Sequence, residues 1–254
     1  MVPTAGASAR VEVWWLRLGS LPWENLVPVL DDVERDRLGR LRRPEDRERL
    51  ALGAATARAA LALRFGDSAQ RVRLDRSCPD CPRLHGPPRP QDHHARLALS
   101  VTHAGDLIGV AVGDLPGVGL DVEPVREAAQ LSWLGEFLGV AVPGRTDEGA
   151  AVGIDVSSHA LLTLWTRIEA LVKLSGLGLR LSPADVDVSA PHEPAALLAW
   201  PPDVAPARVR LSDLRPDTTH VAALALLDAP ADLAVTESDG RRVLAQAGLT
   251  ALDR

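Results

Sequence analysis

The chain of 254 residues has no tyrosine, one methionine and two cysteines. Cys78 and Cys81 are too few for a disulfide framework, so a reducing cytoplasm is the compartment expected. No apolar run approaches the ~18 residues a membrane-spanning helix needs, and the N-terminus lacks a charged-then-apolar signal. Neither secretion nor membrane insertion is expected. An excess of positive charge is also missing. With a formal net charge of −6 and a pI near 5.6, the global charge gives no support to nucleic-acid binding. What remains is 46% hydrophobic and 24% charged, the balance of a soluble globular protein with a sizeable core, as one large domain or two small ones. The bias toward Ala, Leu, Arg, Pro and Gly hints at a GC-rich genome.

Two acidic motifs stand out. In Gly119-Leu120-Asp121-Val122-Glu123, apolar residues alternate with the others, which predicts a strand carrying Asp121 and Glu123 on one face. In Trp165-Thr166-Arg167-Ile168-Glu169-Ala170-Leu171-Val172-Lys173, the residues Trp165, Glu169 and Lys173 recur at i, i+4 and i+8, one stripe of a helix. Two carboxylates on a strand and one on a helix make an all-oxygen site of the kind Mg²⁺ accepts beside substrate phosphates. A lysine one turn beyond the third carboxylate can neutralise a leaving phosphate. The bland alternatives are carboxylates on a strand edge and a helix-stabilising Glu–Lys pair.

Around these motifs the pattern predicts a strand at 11–18 with Val11, Val13, Trp15 and Leu18 inward, and a helix over 24–41. A second helix should follow Pro44, with Glu45 and Asp46 at its positive end, and stop near Gly66. A loop over 77–95 holds five prolines and both cysteines. Strands are predicted at 97–102, 107–112 and 118–122. A short helix at 131–138 precedes a Gly-, Pro- and charge-rich surface loop reaching about Ser158. The long helix of 159–175 stops at Gly176 and Gly178. Short strands are predicted at 185–188, 196–200, 209–211 and 220–227, then an outer helix at 238–247. Each half, 1–116 and 117–254, holds a long helix and several strands, a hint of internal duplication.

Three further features each have two readings. Thr102 and His103 at a strand end either satisfy turn hydrogen bonds or offer a phosphate contact. The arginines between Glu34 and Arg49 fit a salt-bridged helix surface, except Arg49, which lies near Arg58 and the small Gly53 and Ala54, where a ligand can approach. Cys78-Pro79-Asp80-Cys81 with His85, His93 and His94 has tolerable zinc spacing but lacks a second cysteine pair.

Taken in order, an arginine-bearing helix, a Gly-Pro loop, Ser100-Val101-Thr102-His103-Ala104-Gly105, Gly119 to Glu123, and Trp165 to Gly176 resemble the 4′-phosphopantetheinyl transferases of the larger, surfactin-synthetase-activating type. The resemblance covers roughly residues 34–180. It implies an α+β fold of two pseudo-symmetric halves, a monomer with the active site in the cleft between them. It implies coenzyme A as donor, and a serine of an apo acyl, peptidyl or aryl carrier protein as acceptor, in fatty acid, polyketide or nonribosomal peptide synthesis. By position, Asp121, Glu123 and Glu169 would hold Mg²⁺, Glu169 would help deprotonate the serine, and Lys173 would assist the departing 3′,5′-adenosine bisphosphate. Arg49 and His103 would grip coenzyme A phosphates, with Thr102 nearby and Arg37 a weaker candidate.

The chain departs from the family pattern at two lysine positions. Ile168 stands just before the helix glutamate, where its place in a stripe with Leu164, Leu171 and Val172 predicts a core residue. Gly86-Pro87-Pro88 replaces a Gly-Lys-Pro element, with Arg89 one position on as a possible substitute of different geometry. The stretch 137–158 does not match the helix the family often uses to receive the carrier. These departures leave open a degenerate paralogue that binds coenzyme A or a carrier without turnover. A metal-dependent nuclease also combines acid-x-acid strands with Glu-x-x-x-Lys helices; the acidic pI, His103 and Arg49 speak against it.

Overall fold

A computed structural model describes residues 10–126, 131–138, 157–201 and 208–250. The predicted surface loop falls at 139–156, outside the described residues, apart from its end at Ser157 and Ser158. The fold is mixed α+β and separates into two compact units, residues 1–118 with 227–254, and residues 119–226.

The first unit is built on a four-stranded sheet. Its strands are β1 (Arg10–Arg17), β4 (Ala98–Ala104), β5 (Leu107–Gly113) and β11 (Ala234–Asp239), in the order β11-β1-β5-β4. β1 runs antiparallel to β5 and parallel to β11. The tight turn at Gly105, where φ is +57°, joins β4 to β5 and sets the register Thr102↔Gly109 and His103↔Ile108. Two helices precede this hairpin, α1 (Asp32–Arg40) and α2 (Pro44–Leu63). α2 is buried continuously from Ala51 to Ala62 and packs on β4 and β5. Its many alanines and Gly53, whose Cβ position lies 3.3 Å from Val101 Cγ1, suit a helix lying close on a sheet. In the long loop after α2, β2 (Leu74–Asp75) pairs with β3 (Arg89–Pro90).

Several expectations are corrected here. The helix expected over 24–41 breaks in two, because a short 3₁₀ segment, Trp23–Val29, contains Pro28, and Asp31 opens α1 afresh with a reciprocal capping box to Glu34. Trp15 is only half-buried, its indole nitrogen donating to Glu237 of β11 at 2.9 Å, while Trp14 and Leu16 are core residues. Leu18 lies beyond the strand and is half-buried. Arg58 opens no space for a ligand. It is fully buried, donating to Glu34 at 3.0 Å and also to Asp31 and the Val72 carbonyl. Glu34 in turn accepts from Arg76 at 2.9 Å, so one buried carboxylate serves two arginines.

The C-terminal segment was expected with the second half. Instead β11 and the following α5 (Gly240–Gln246) join the first unit, where Val243 and Leu244 enter the core containing Trp14 and Leu16. A Cβ at Gly240 would run into Leu16, so that glycine marks where α5 meets β1. The helix is thus a core element and not an outer one. β11 escaped prediction because Ala-Val-Thr-Glu-Ser-Asp is largely polar, an edge strand with little apolar alternation.

The second unit has a sheet of β6 (Gly117–Pro124), β10 (His220–Leu227) and β9 (Val209–Leu214), in the order β6-β10-β9. It adds α3 (Ser132–Leu138), α4 (Ser158–Ser175) and a two-stranded ladder of β7 (Asp187–Val188) and β8 (Leu197–Ala199). Ser157 caps α4 by accepting from Ala160 N, and Gly176 ends it in the left-handed conformation. Arg167, fully buried on α4, donates to both carboxylate oxygens of Asp213 and to the carbonyls of Ser189, Ala190 and Glu193. The units repeat one topology: a strand, a long helix carrying a buried arginine, then two strands of which the second lies beside the first. The sequences of the two units do not visibly repeat.

Candidate functional site

Strand β6 and helix α4 of the second unit bring the two acidic motifs together. Gly119 explains how. A Cβ there would collide with the Ala170 carbonyl and lie 2.7 Å from Leu174 N, so only glycine lets the strand meet the helix backbone at Ala170 and Leu174, next to Glu169 and Lys173. Two residues further along β6, Asp121 is 5% exposed between the buried Leu120 and Val122. Lys173 Nζ donates to Asp121 Oδ1 at 2.6 Å and to the Leu120 carbonyl at 3.1 Å. Trp165 hydrogen-bonds Glu123, and Arg126 lies 4.0 Å from the same carboxylate. The helix stripe Trp165–Glu169–Lys173 therefore meets the strand pair Glu123 and Asp121, with Glu169 between its two contacts.

Asp121 couples electrostatically to each of the two glutamates. Burial, and then the charge of Asp121, pushes the Glu169 carboxyl above the ordinary glutamate range, with Lys173 opposing. Glu123 is raised by the same two causes in the same order, against Arg126, Lys173 and the Trp165 hydrogen bond. Asp121 repels both half-buried glutamates, and a hard dication bound among the three would relieve that repulsion. Ile168, the residue before Glu169, is buried with Ala170, Leu171 and Val172 in the core, as its stripe predicted.

The phosphate-binding candidates lie in the first unit. A cavity of about 400 Å³ is lined by Arg37, Arg49, Arg76, His103, Gly53, Ala54 and the run His85-Gly86-Pro87-Pro88. Arg49 holds the β4–β5 turn by donating to the Gly105 carbonyl at 2.6 and 3.2 Å, and pairs with Asp46 at 2.7 Å. Burial, and then the charge of Arg76, lowers the pKa of Arg37, so the cavity crowds cations that an anion would relieve. Arg49, His103 and Arg37 are thus brought to one wall system, as is the Gly86-Pro87-Pro88 element. Thr102 is buried and does not line the cavity. Nor does Arg89, which lies on β3 with its guanidinium 3.6 Å from Asp75 and lines a shallower depression with Pro90, Gln91 and Asp92. The residue that sequence reasoning missed is Arg76. Nothing in its local pattern distinguishes it; the Arg76 carbonyl, accepting from Gly86 N at 2.8 Å, is what sets it beside the Gly-Pro turn.

A match to a known family covers both acidic motifs. Residues 117–225, from β6 through most of β10, match the family model of the 4′-phosphopantetheinyl transferase superfamily. Over 80 residues the chain is 35% identical to the 4′-phosphopantetheinyl transferase AcpT of Escherichia coli, in both strain K12 and O157:H7. That similarity covers 32% of this chain and 40% of each relative.

Proposed function

We propose that this chain transfers the 4′-phosphopantetheine group of coenzyme A to a serine of an apo acyl or peptidyl carrier protein, with Mg²⁺ as cofactor. The observation that carries the reading is the acidic cluster: Glu169 and Glu123, both raised by burial and by Asp121, beside Lys173 and inside the stretch that matches the superfamily.

In this reading Asp121, Glu123 and Glu169 hold Mg²⁺, which when bound neutralises charge on the pyrophosphate. Glu169 also accepts the proton of the carrier serine, directly or through water. The serine oxygen then bonds to the phosphorus carrying pantetheine, as the bond from that phosphorus to the bridging oxygen breaks. Lys173 neutralises or protonates the departing 3′,5′-adenosine bisphosphate. Arg49 and His103 take coenzyme A phosphates, joined by Arg37 and Arg76 of the same cavity. Thr102 serves as the neighbour that places His103, and Arg89 is the more remote cation. The two units are taken as the pseudo-symmetric halves of the larger, surfactin-synthetase-activating type, acting as a cytoplasmic monomer.

The test is to incubate the protein with Mg²⁺, coenzyme A and a panel of apo carrier proteins from fatty acid, polyketide and nonribosomal peptide synthesis. A carrier mass gain of one phosphopantetheine group, lost when the acceptor serine is replaced, is the expected result. No gain on any carrier, with a known transferase active on the same panel, overturns the proposal.

A further inference from the structure

The loop between β2 and β3 supplies the Gly-Pro wall of the cavity, yet it has little core of its own. Leu84 is half exposed, Pro79, Asp80, Pro82 and Arg83 are exposed, and a two-residue ladder closes its base. Backbone hydrogen bonds fold it back on itself, Cys78 N to the Arg83 carbonyl at 3.2 Å and Gly86 N to the Arg76 carbonyl at 2.8 Å. Gly86 is enclosed so tightly that a Cβ would lie 2.5 Å from the Ser77 carbonyl oxygen. This folding gathers Cys78 Sγ, Cys81 Sγ and a ring nitrogen of His85 to within 4.8 Å of one another, with Cys81 Sγ 3.1 Å from His85 Nε2.

We propose that Cys78, Cys81 and His85 bind one Zn²⁺ ion that staples the loop of residues 76–88. The spacing is Cys-x₂-Cys-x₃-His, and thiolate with imidazole is the donor set zinc favours. Zinc bonds of ~2.3 Å to sulfur and ~2.0 Å to nitrogen in a tetrahedron put ligand atoms about 3.5–3.8 Å apart, inside the 4.8 Å span of the three atoms and slightly wider than the 3.1 Å between Cys81 Sγ and His85 Nε2. On binding, the sulfurs give up their protons to solvent, His85 Nε2 exchanges its hydrogen bond for the metal, and water fills the fourth position. No electron changes hands. Because His85 and Gly86 also line the arginine cavity, the staple would fix that wall against the pull of the exposed loop.

Zinc content is read without coenzyme A or carrier, so this proposal stands or falls apart from the transferase reading. The full chain is purified under reducing conditions, reconstituted with Zn²⁺ in excess Mg²⁺, gel-filtered and analysed for metal by mass spectrometry. About one zinc per chain is expected, falling at least tenfold in Cys81→Ser and His85→Ala, with folding of each variant checked by circular dichroism. Replacement by Co²⁺ in the parent protein should give a thiolate-to-metal charge-transfer absorption, which needs no variant. The Asp67, His93 and His94 cluster is a second group with ligand atoms close together, so His93→Ala serves as the control and should keep its zinc. Parent protein with free thiols but no bound zinc overturns the proposal. So does a Cys78–Cys81 disulfide that persists under those conditions, or zinc lost in His93→Ala and kept in Cys81→Ser.

Discussion

Lys173 reaches from helix α4 to strand β6 and places its ammonium 2.6 Å from Asp121 Oδ1, a residue 52 positions earlier in the chain. The sequence alone offered a different partner for that lysine, Glu169 one helical turn away. Crossing to the strand changes the consequence. Lys173 offsets the field of Asp121 at both Glu169 and Glu123, so one cation tempers three carboxylates.

Asp121→Ala and Glu169→Ala should each lower carrier modification by about 10²-fold or more while leaving the circular dichroism spectrum intact. The reason is that each removes a carboxylate assigned to the metal. Initial rates measured at saturating Mg²⁺ decide it. A loss of less than about tenfold, only ~1.4 kcal/mol of barrier, would show that these groups do not hold the reacting pyrophosphate.

The raised carboxyls also predict a pH signature. Glu123 and Glu169 have folded pKa values above their ordinary value of 4.5, so between the two values the folded protein holds more protons than the unfolded chain. Without metal, their contribution to stability is complete below about 4.5 and is lost as pH rises through the raised values. Mg²⁺ has the opposite preference, since it binds the ionised pair. The rise in Tm produced by Mg²⁺ should therefore grow as pH rises through this window and vanish at its acid end. Thermal unfolding with and without Mg²⁺, from pH 4.5 to 7.5 (roughly the carboxylate range and above), measures it. A Mg²⁺ shift that stays constant with pH would separate the metal from these glutamates.

Gly119→Ala should destabilise the second unit, because the added Cβ meets backbone atoms of α4 that have no rotamer to yield. Overpacking of this sort costs about 1–3 kcal/mol, roughly 2–12 °C in Tm for a domain of this size. Unchanged melting would mean that β6 and α4 do not touch at this point.

Ile168→Lys should lower the Tm and leave coenzyme A affinity and turnover no better. The side chain sits in the core with Leu171 and Val172, where an unpaired ammonium is costly, on the order of 3 kcal/mol. Melting curves and Michaelis constants of the two proteins decide it. A variant as stable as its parent and faster would show that position 168 faces phosphate after all.

Most of the elements could be read because their signals are local. The alternation around Asp121, the proline that starts α2 and the glycine that ends α4 each act within a few residues. That Asp121 and Glu123 lie on one strand, and Trp165, Glu169 and Lys173 on one helix, was legible for the same reason, since strand period and helix period are local. What escaped is long-range. Arg167 reads as an ordinary charged helix residue and Arg58 as a neighbour of a ligand approach, and only the carbonyls and carboxylates that enclose them reveal buried structural roles. Arg76 enters the cavity through a backbone bond to Gly86, which no pattern announces. β11 is polar and short of apolar alternation, so its place was fixed by a partner strand at the far end of the chain.

That last pairing has a bearing on how the molecule is made. Trp15 and Glu237 are 222 residues apart, yet they lie on neighbouring strands of one sheet. A ribosome releases β1 long before β11, so the nascent first unit must wait with one edge of β1 unpaired and without Val243 and Leu244 in its core. Residues 119–226, by contrast, are contiguous and can close during synthesis. The waiting edge is a template for wrong strand pairing. Premature stops anywhere before residue 234 should consequently yield chains that aggregate, even when every residue assigned to chemistry is present.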